Sequence, residues 1–163
     1  ALALGDALAV ALLDARGFAA EDFARSHPGG ALGRRLLTHV SDVMRPASAV
    51  PQGAADVPLT QALLAMTAGG MGMTAIVGAN GCPEGIFTDG DLRRALEKGI
   101  DVRSASLSAV MTRNPRSIGP NALAVEAADI MERQRISQIL VLDPEGRLAG
   151  ALTTHDLMQA KVI

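Results

Sequence analysis

Apolar positions along the chain follow two periods, one typical of helices and one typical of strands. Residues 2–16 carry apolar side chains around most of a helical circumference, and Gly17 is suited to end that helix. Apolar residues at helical spacing predict further helices over residues 58–68 and 122–133. Short apolar runs beside turn residues predict strands over residues 48–50, 74–77, 85–87, 116–118, 139–142 and 148–152. The pattern therefore predicts an α/β fold.

The chain beyond residue 40 repeats itself at an offset of 65 residues, with an offset of 67 near the start of each copy. The identical pairs include Met66/Met131, Gly85/Gly150, Thr88/Thr153 and Asp91/Asp156. Each copy is predicted to fold as strand, helix, strand, strand, helix. One such unit cannot cover both faces of its sheet, so the two copies should pack together with pseudo-twofold symmetry and form two equivalent clefts. We divide the chain into residues 1–40, 41–99 and 100–163.

One motif, Gly-h-h-Thr-x-x-Asp-Leu with h apolar, occurs at residues 85–92 and again at residues 150–157. In each copy a strand should end at the threonine, and a helix should begin within the next three residues. Helix N-termini attract phosphate oxygens, and a carboxylate can accept hydrogen bonds from the hydroxyls of a ribose. The motif predicts that the threonines (Thr88 and Thr153) bind phosphate and the aspartates (Asp91 and Asp156) bind ribose. The alternative is that these side chains only cap their helices.

Further candidate ligand residues flank the motif. Arg93 and Arg94 follow Asp91 in the first repeat, where the second repeat has uncharged residues. Arginine is suited to recognition of phosphate or carboxylate. The strand edges near Met73, Thr74 and Gln138 are candidates for holding a base.

Composition narrows the range of partners. The net charge is −2 and aromatic residues make up 2% of the chain, so neither a nucleic acid nor an anionic membrane surface is expected to bind. The histidine spacing does not predict a metal site, and no cofactor is expected. The single cysteine, Cys82, fits a reducing compartment and predicts a cytoplasmic protein.

The duplicated Val-Met and Gly-h-h-Thr-x-x-Asp motifs over residues 41–163 resemble a tandem CBS pair, or Bateman module. Residues 3–18 (ALGDALAVALLDARGF) and 21–37 (EDFARSHPGGALGRRLL) resemble the end of the sugar isomerase (SIS) domain in the D-arabinose 5-phosphate isomerase family. The resemblance implies a CBS pair preceded by a helical remnant of an SIS domain. It also implies that His27, in Ser-His-Pro-Gly-Gly, matches the active-site histidine proposed for that family.

The same resemblance implies a function. Members of the family interconvert D-ribulose 5-phosphate and D-arabinose 5-phosphate for the synthesis of Kdo and lipopolysaccharide, and their CBS pair is expected to sense a nucleotide. We expect CMP-Kdo as a feedback ligand, with AMP or ATP as the alternative. A purely structural role in holding a homo-oligomer together is a further alternative. Because the phosphate loop and other acid–base residues of the isomerase domain do not precede Ala1 in this sequence, we expect the chain by itself not to isomerise sugar phosphates.

Overall fold

The computed structural model describes residues 2–17, 22 and 37–163. The sequence also predicts helical segments at residues 21–25 and 31–37, and these segments fall almost entirely outside the described residues. His27 and the loop that holds it also lie outside them.

The first helix, α1, spans Leu2–Ala15, as the apolar pattern predicts. It ends at Gly17, which has a φ of 64° and donates a backbone hydrogen bond of 2.9 Å to the carbonyl of Asp14. Glycine adopts this left-handed conformation without the steric cost that a Cβ atom brings. The large apolar side chains described on this helix are exposed to solvent, namely Leu4, Leu8, Val10, Leu12 and Leu13.

Six further helices and eight strands follow within residues 37–163. The helices are α2 (Val40–Val43), α3 (Leu59–Gly69), α4 (Asp89–Glu97), α5 (Leu107–Val110), α6 (Ala124–Gln134) and α7 (Thr154–Gln159). The strands are β1 (Arg45–Pro46), β2 (Gln52–Gly53), β3 (Met73–Val77), β4 (Pro83–Thr88), β5 (Thr112–Arg113), β6 (Ser117–Ile118), β7 (Gln138–Leu142) and β8 (Leu148–Thr153).

Helices α3 and α6 and strands β3, β4, β6, β7 and β8 match the sequence-based expectation. The strand predicted at residues 48–50 is wrong, because Ala47–Ala49 form a turn of 3-10 helix and the strand is Gln52–Gly53. The first repeat has two more residues between β1 and β2 than the second repeat has between β5 and β6. The extra residues are accommodated in this turn, which is the physical reason for the displacement.

The strands form two four-stranded sheets, and each sheet takes one strand from the other repeat. Their orders are β1-β8-β7-β6 and β5-β4-β3-β2, so equivalent strands occupy equivalent places. β1, from the first repeat, pairs antiparallel with β8 of the second, and β5 pairs antiparallel with β4 in the same way. Sequence analysis predicted three strands for each repeat and missed this exchange.

The glycine of the repeated motif is required by this exchange. A Cβ atom added at Gly150 would collide with the carbonyl oxygen of Arg45 on β1. At the equivalent Gly85, the added atom would lie 2.7 Å from the sulfur of Met111 and 3.0 Å from the carbonyl oxygen of Thr112. The Val-Met motif of each repeat therefore packs closely against the Gly-h-h-Thr motif of the other repeat.

Three apolar cores hold these layers together. The central core lies between the sheets and includes Met73, Ala75 and Ile86 from one sheet and Leu140 and Ala151 from the other. The two outer cores lie between each sheet and its helices. Leu107 of the second repeat is buried with the first-repeat residues, and Val40, which directly precedes the first repeat, is buried with the second-repeat residues.

Candidate functional site

Thr88 and Asp91 form a capping box at the start of α4. The Thr88 hydroxyl accepts a hydrogen bond of 3.3 Å from the backbone N–H of Asp91, and the Asp91 carboxylate accepts one of 2.9 Å from the backbone N–H of Thr88. The same hydroxyl donates to Asp91 Oδ2 at 2.7 Å. Reciprocal capping satisfies backbone donors that the first turn of a helix leaves without partners. The motif thus fixes the point at which β4 gives way to α4.

The Asp91 carboxylate accepts hydrogen bonds at both oxygens, although the residue is only 4% exposed. Oδ2 accepts from the backbone and side chain of Thr88, while Oδ1 accepts from Arg94 Nη2 at 2.6 Å and from the Thr112 hydroxyl at 2.7 Å. Burial alone raises the pKa of this carboxyl. The hydrogen bonds from Thr112, Thr88 and Arg94 together outweigh burial and lower the pKa below its ordinary value. Asp91 is therefore an ionised group at neutral pH.

The second repeat contains the same box with a different outer partner. Asp156 accepts from the backbone N–H of Thr153 at 2.9 Å and from its hydroxyl at 2.6 Å, and both residues are buried. The other carboxylate oxygen accepts from Arg45 Nε at 3.1 Å. Arg45 lies on the exchanged strand β1, at the position equivalent to Thr112 on β5. In both repeats, therefore, a residue of the exchanged strand hydrogen-bonds the capping aspartate.

A cavity of about 770 Å³ lies beside the first capping box. One wall is formed by Thr88, Asp91 and Arg94 of the first repeat. The opposite wall is formed by second-repeat residues between Asn114 and Arg116 and between Gln134 and Gln138. A cavity of this size falls within the range of small-molecule sites. The cleft therefore lies between the two repeats.

The charge of the cavity wall is set by three arginines and two aspartates. The arginines are Arg94, Arg116 and Arg135, and the aspartates are Asp89 and Asp91. Since Asp91 is already paired with Arg94, the wall has an excess of positive charge. Guanidinium groups bind carboxylate and phosphate through pairs of N–H donors. The cavity is chemically suited to an anionic ligand.

The structure brings some of the sequence-predicted residues together and separates others. Thr88, Asp91, Arg94 and Gln138 line the cavity. Arg93 is exposed on α4 but does not line it.

Four further candidates lie away from this cavity. Met73 and Thr74 are completely buried, and the Thr74 hydroxyl points to the carbonyl of Ala62 at 3.4 Å. Thr153 and Asp156 belong to the second capping box and are not among the lining residues. The two clefts, expected to be equivalent, differ in the exchanged-strand residue that hydrogen-bonds the capping aspartate, which is Thr112 in the first cleft and Arg45 in the second.

Sequence analysis missed the cavity arginines of the second repeat, Arg116 and Arg135. Arg135 follows α6 with a φ of 53°, a left-handed conformation that is uncommon for residues with a Cβ atom. The equivalent residue in the first repeat is Gly70, at a φ of 60°. The comparison of Gly70 with Arg135 was the signal available in the sequence, because an arginine replaces glycine where a helix-ending glycine is expected.

Among the residues that the structure describes, no group of three or more histidine, cysteine, aspartate or glutamate side chains is placed to hold a metal ion. None of the helices among these residues has the length and apolar character that crossing a membrane requires.

Comparison with solved structures identifies the fold. The CBS pair of protein MJ0100, solved with 5′-methylthioadenosine and S-adenosyl-L-methionine, superposes with a TM-score of 0.68 at 22% identity, covering 75% of this chain and 94% of that one. CBSX2 of Arabidopsis thaliana, solved with AMP, gives a TM-score of 0.65 at 21% identity, covering 76% of this chain and 95% of that one. The CBS domain family model matches residues 107–163. The fold is that of a CBS domain pair.

The curated relatives of this chain are longer proteins. The chain is 54% identical to arabinose 5-phosphate isomerase KdsD of Pseudomonas aeruginosa over 162 residues, which are 99% of this chain and 50% of that protein. The chain therefore spans about half the length of the curated relatives that it matches, and it corresponds to their C-terminal half. The expected resemblance to the D-arabinose 5-phosphate isomerase family is confirmed over that half.

Proposed function

We propose that this CBS pair is a regulatory module that binds an anionic nucleotide in the cavity beside Asp91. The module then adjusts the activity of an arabinose 5-phosphate isomerase, the enzyme to which its curated relatives correspond. That enzyme interconverts D-ribulose 5-phosphate and D-arabinose 5-phosphate. The observation that carries the proposal is the convergence of Arg94, Arg116 and Arg135, from both repeats, on one cavity of about 770 Å³. A ligand held by all three would link the two repeats.

The preferred ligand is CMP-Kdo, a late product of the Kdo route that leads to lipopolysaccharide. It carries a phosphodiester and a sugar carboxylate, and these two anionic groups match a wall with three guanidinium groups. An adenosine nucleotide is the alternative. It is supported by the related CBS pairs solved with AMP and with S-adenosyl-L-methionine.

Arg94 is the side chain that must move when a ligand enters. Both oxygens of Asp91 already accept two hydrogen bonds each, which uses the acceptor capacity of a carboxylate. A ribose hydroxyl therefore binds Asp91 by displacing one donor. The Arg94 side chain is 58% exposed and can turn from Asp91 to the ligand phosphate. Thr88 and Thr112 then keep Asp91 in place.

The direct test is calorimetry and thermal unfolding of the chain with CMP-Kdo, CMP, AMP and ATP. A ligand at 100 times its Kd should stabilise the fold by about 2.7 kcal/mol. Arg116→Met should weaken binding because it removes a cation from the cavity wall. Arg113→Met is the matched control, since Arg113 is exposed and does not line the cavity.

Failure to bind any of the four nucleotides would overturn the sensor proposal. In that case a role in holding copies of the longer protein together becomes the better account, and light scattering would measure it as a homo-oligomer. Regulation is tested separately, by isomerase assays on the longer protein with and without the ligand. The proposed location is the cytoplasm, which fits the free Cys82.

A further inference from the structure

The second cleft of the CBS pair, which is equivalent to the first by the sequence repeat, contains the side chain of Arg45. Its Nε donates to Asp156 at 3.1 Å, and its Nη1 donates to the carbonyl oxygen of Gly69 at 3.3 Å. Asp156 lies at the start of α7 in the second repeat, and Gly69 is the last residue of α3 in the first. One side chain thus joins the two walls of the second cleft.

The equivalent position in the first cleft is Thr112, and its shorter side chain leaves that cleft open. Thr112 hydrogen-bonds Asp91 at 2.7 Å, as Arg45 does with Asp156. The residue equivalent to Gly69 is Gln134, at the end of α6, and it stands on the opposite wall of the open cavity. The first cleft is open and the second is bridged by a side chain, and this difference coincides with the difference between threonine and arginine at one pair of positions.

The remaining charges of the two clefts differ in the same direction. At the offset of 65 residues, Arg94, Arg116 and Arg135 are equivalent to Gln159, Pro51 and Gly70. The backbone supports the least obvious of these pairs, because the carbonyl of Pro51 accepts from Ala75 as that of Arg116 accepts from Leu140. All three arginines that face the open cavity are thus replaced by uncharged residues. The positive charge of Arg45 is matched by the carboxylate of Asp156.

We propose that Arg45 closes the second cleft and so limits the CBS pair to one nucleotide per chain, bound beside Asp91. This inference rests on the proposed function for the identity of the ligand. With the second cleft closed by Arg45, the duplicated fold has a single nucleotide site, and each chain is either empty or occupied at that site.

Exchange of the two residues tests the proposal. Calorimetry with CMP-Kdo, repeated with AMP, should give one site per chain in the natural sequence. Thr112→Arg should abolish binding, because the new side chain reaches from Asp91 toward the carbonyl of Gln134. Arg45→Thr combined with Pro51→Arg, Gly70→Arg and Gln159→Arg places the four differing residues of the first cleft at the equivalent positions of the second cleft, and this fourfold variant should give two sites per chain. Gln159→Arg restores a cation near Asp156, as Arg94 provides one for Asp91.

Several outcomes would overturn the proposal. These are two sites in the natural sequence, one site in the fourfold variant, or binding of unchanged affinity in Thr112→Arg. If the fourfold variant does not fold, Thr112→Arg decides by itself. Crystal structures without ligand add a readout that does not depend on the nucleotide. Arg45→Thr alone should open space beside Thr153 and Asp156, and a cleft there that is no more open than in the natural sequence would contradict the role of Arg45. Failure of every nucleotide to bind the natural sequence would instead count against the proposed function.

Discussion

Thr112 donates a hydrogen bond of 2.7 Å to the carboxylate of Asp91, although the two residues lie in different repeats of the sequence. Thr112 reaches Asp91 because β5 crosses to the sheet of the first repeat and pairs with β4. The contact links the strand exchange to the electrostatics of the candidate site, since Thr112 is one of the donors that keep the pKa of Asp91 low.

The first prediction concerns this hydrogen bond. Thr112→Val should lower the free energy of unfolding at pH 7 by about 1.5–3 kcal/mol, the usual range for a hydrogen bond to a charged group. Because the pKa of Asp91 is lowered in the folded protein, its contribution is present above the unfolded value, near 3.9, and is lost as the pH falls through the lower folded value. The difference between variant and natural sequence should therefore disappear in strong acid.

Urea unfolding from pH 7 to pH 2 would measure the effect. Thr60→Val, at an exposed position on α3, is the control and should show little difference at any pH. A Thr112→Val effect that remains constant down to pH 2 would contradict the assignment to the charged carboxylate.

The second prediction concerns the motif glycine. Gly150→Ala should destabilise the CBS pair by about 1–3 kcal/mol, the usual cost of overpacking, because the added methyl group meets the backbone of Arg45. Gly119→Ala is the matched control, since a Cβ atom there would have no heavy atom within 4 Å. Thermal unfolding of both variants measures the difference. Equal stability of the two would show that β1 does not approach β8 as closely as described.

The third prediction concerns the crossing of the repeats. Leu107 belongs to the second repeat by sequence but is completely buried in the core of the first. Leu107→Ala should cost about 2–5 kcal/mol. Hydrogen exchange should show the loss of protection in β3 and β4 rather than in β7 and β8. Leu64→Ala, at a leucine that is 73% exposed, provides the control. Loss of protection confined to the second-repeat strands would contradict the crossing.

The fourth prediction separates binding from stability at Arg135. Arg135→Gly should weaken nucleotide binding by about 10-fold to 100-fold, as expected when a charged hydrogen bond is lost. Stability should change little, because release from the left-handed conformation, worth about 1–2 kcal/mol, offsets the greater freedom of glycine in the unfolded chain. Calorimetry and thermal unfolding measure the two effects.

Arg133→Gln is the control for this variant. Arg133 is exposed, lies 3.8 Å from Asp129 and is absent from the cavity wall. Arg133→Gln should leave the affinity for the nucleotide unchanged. A variant at Arg135 that binds as tightly as the natural sequence would remove this arginine from the proposed site.

The sequence contained enough information to predict the repeats, most helices and strands, and the two capping motifs. Thr88 and Asp91 could be found because their motif recurs and because a strand ends and a helix begins there. The exchanged strands could not be predicted, because β1 and β5 have two residues each and their partners are set by the path of the whole chain. A two-residue strand has too short a pattern to indicate which sheet it joins.

The difference between the two clefts was equally hard to predict. Arg45 lies far from the motif in sequence, 111 residues before Asp156. Its role depends on a contact that only the packed fold creates. Arg116 and Arg135 lie on loops, where no hydrophobic period indicates the direction of a side chain. Met73 and Thr74 looked accessible as strand-edge residues, but the packing of two sheets and the helix α3 buries them.

The helix α6 connects the cavity wall to the stretch of chain that precedes the first repeat. Its C-terminal end contributes Gln134 to the cavity wall, while at its N-terminal end the backbone N–H of Ala124 donates to the carbonyl of Thr38 at 2.8 Å. Eleven helical residues make a stiff rod of about 16 Å between these points. A displacement of the C-terminal end of this helix would therefore also move its N-terminal end, and with it the hydrogen bond between Ala124 and Thr38 in the stretch of chain that leads into the first repeat.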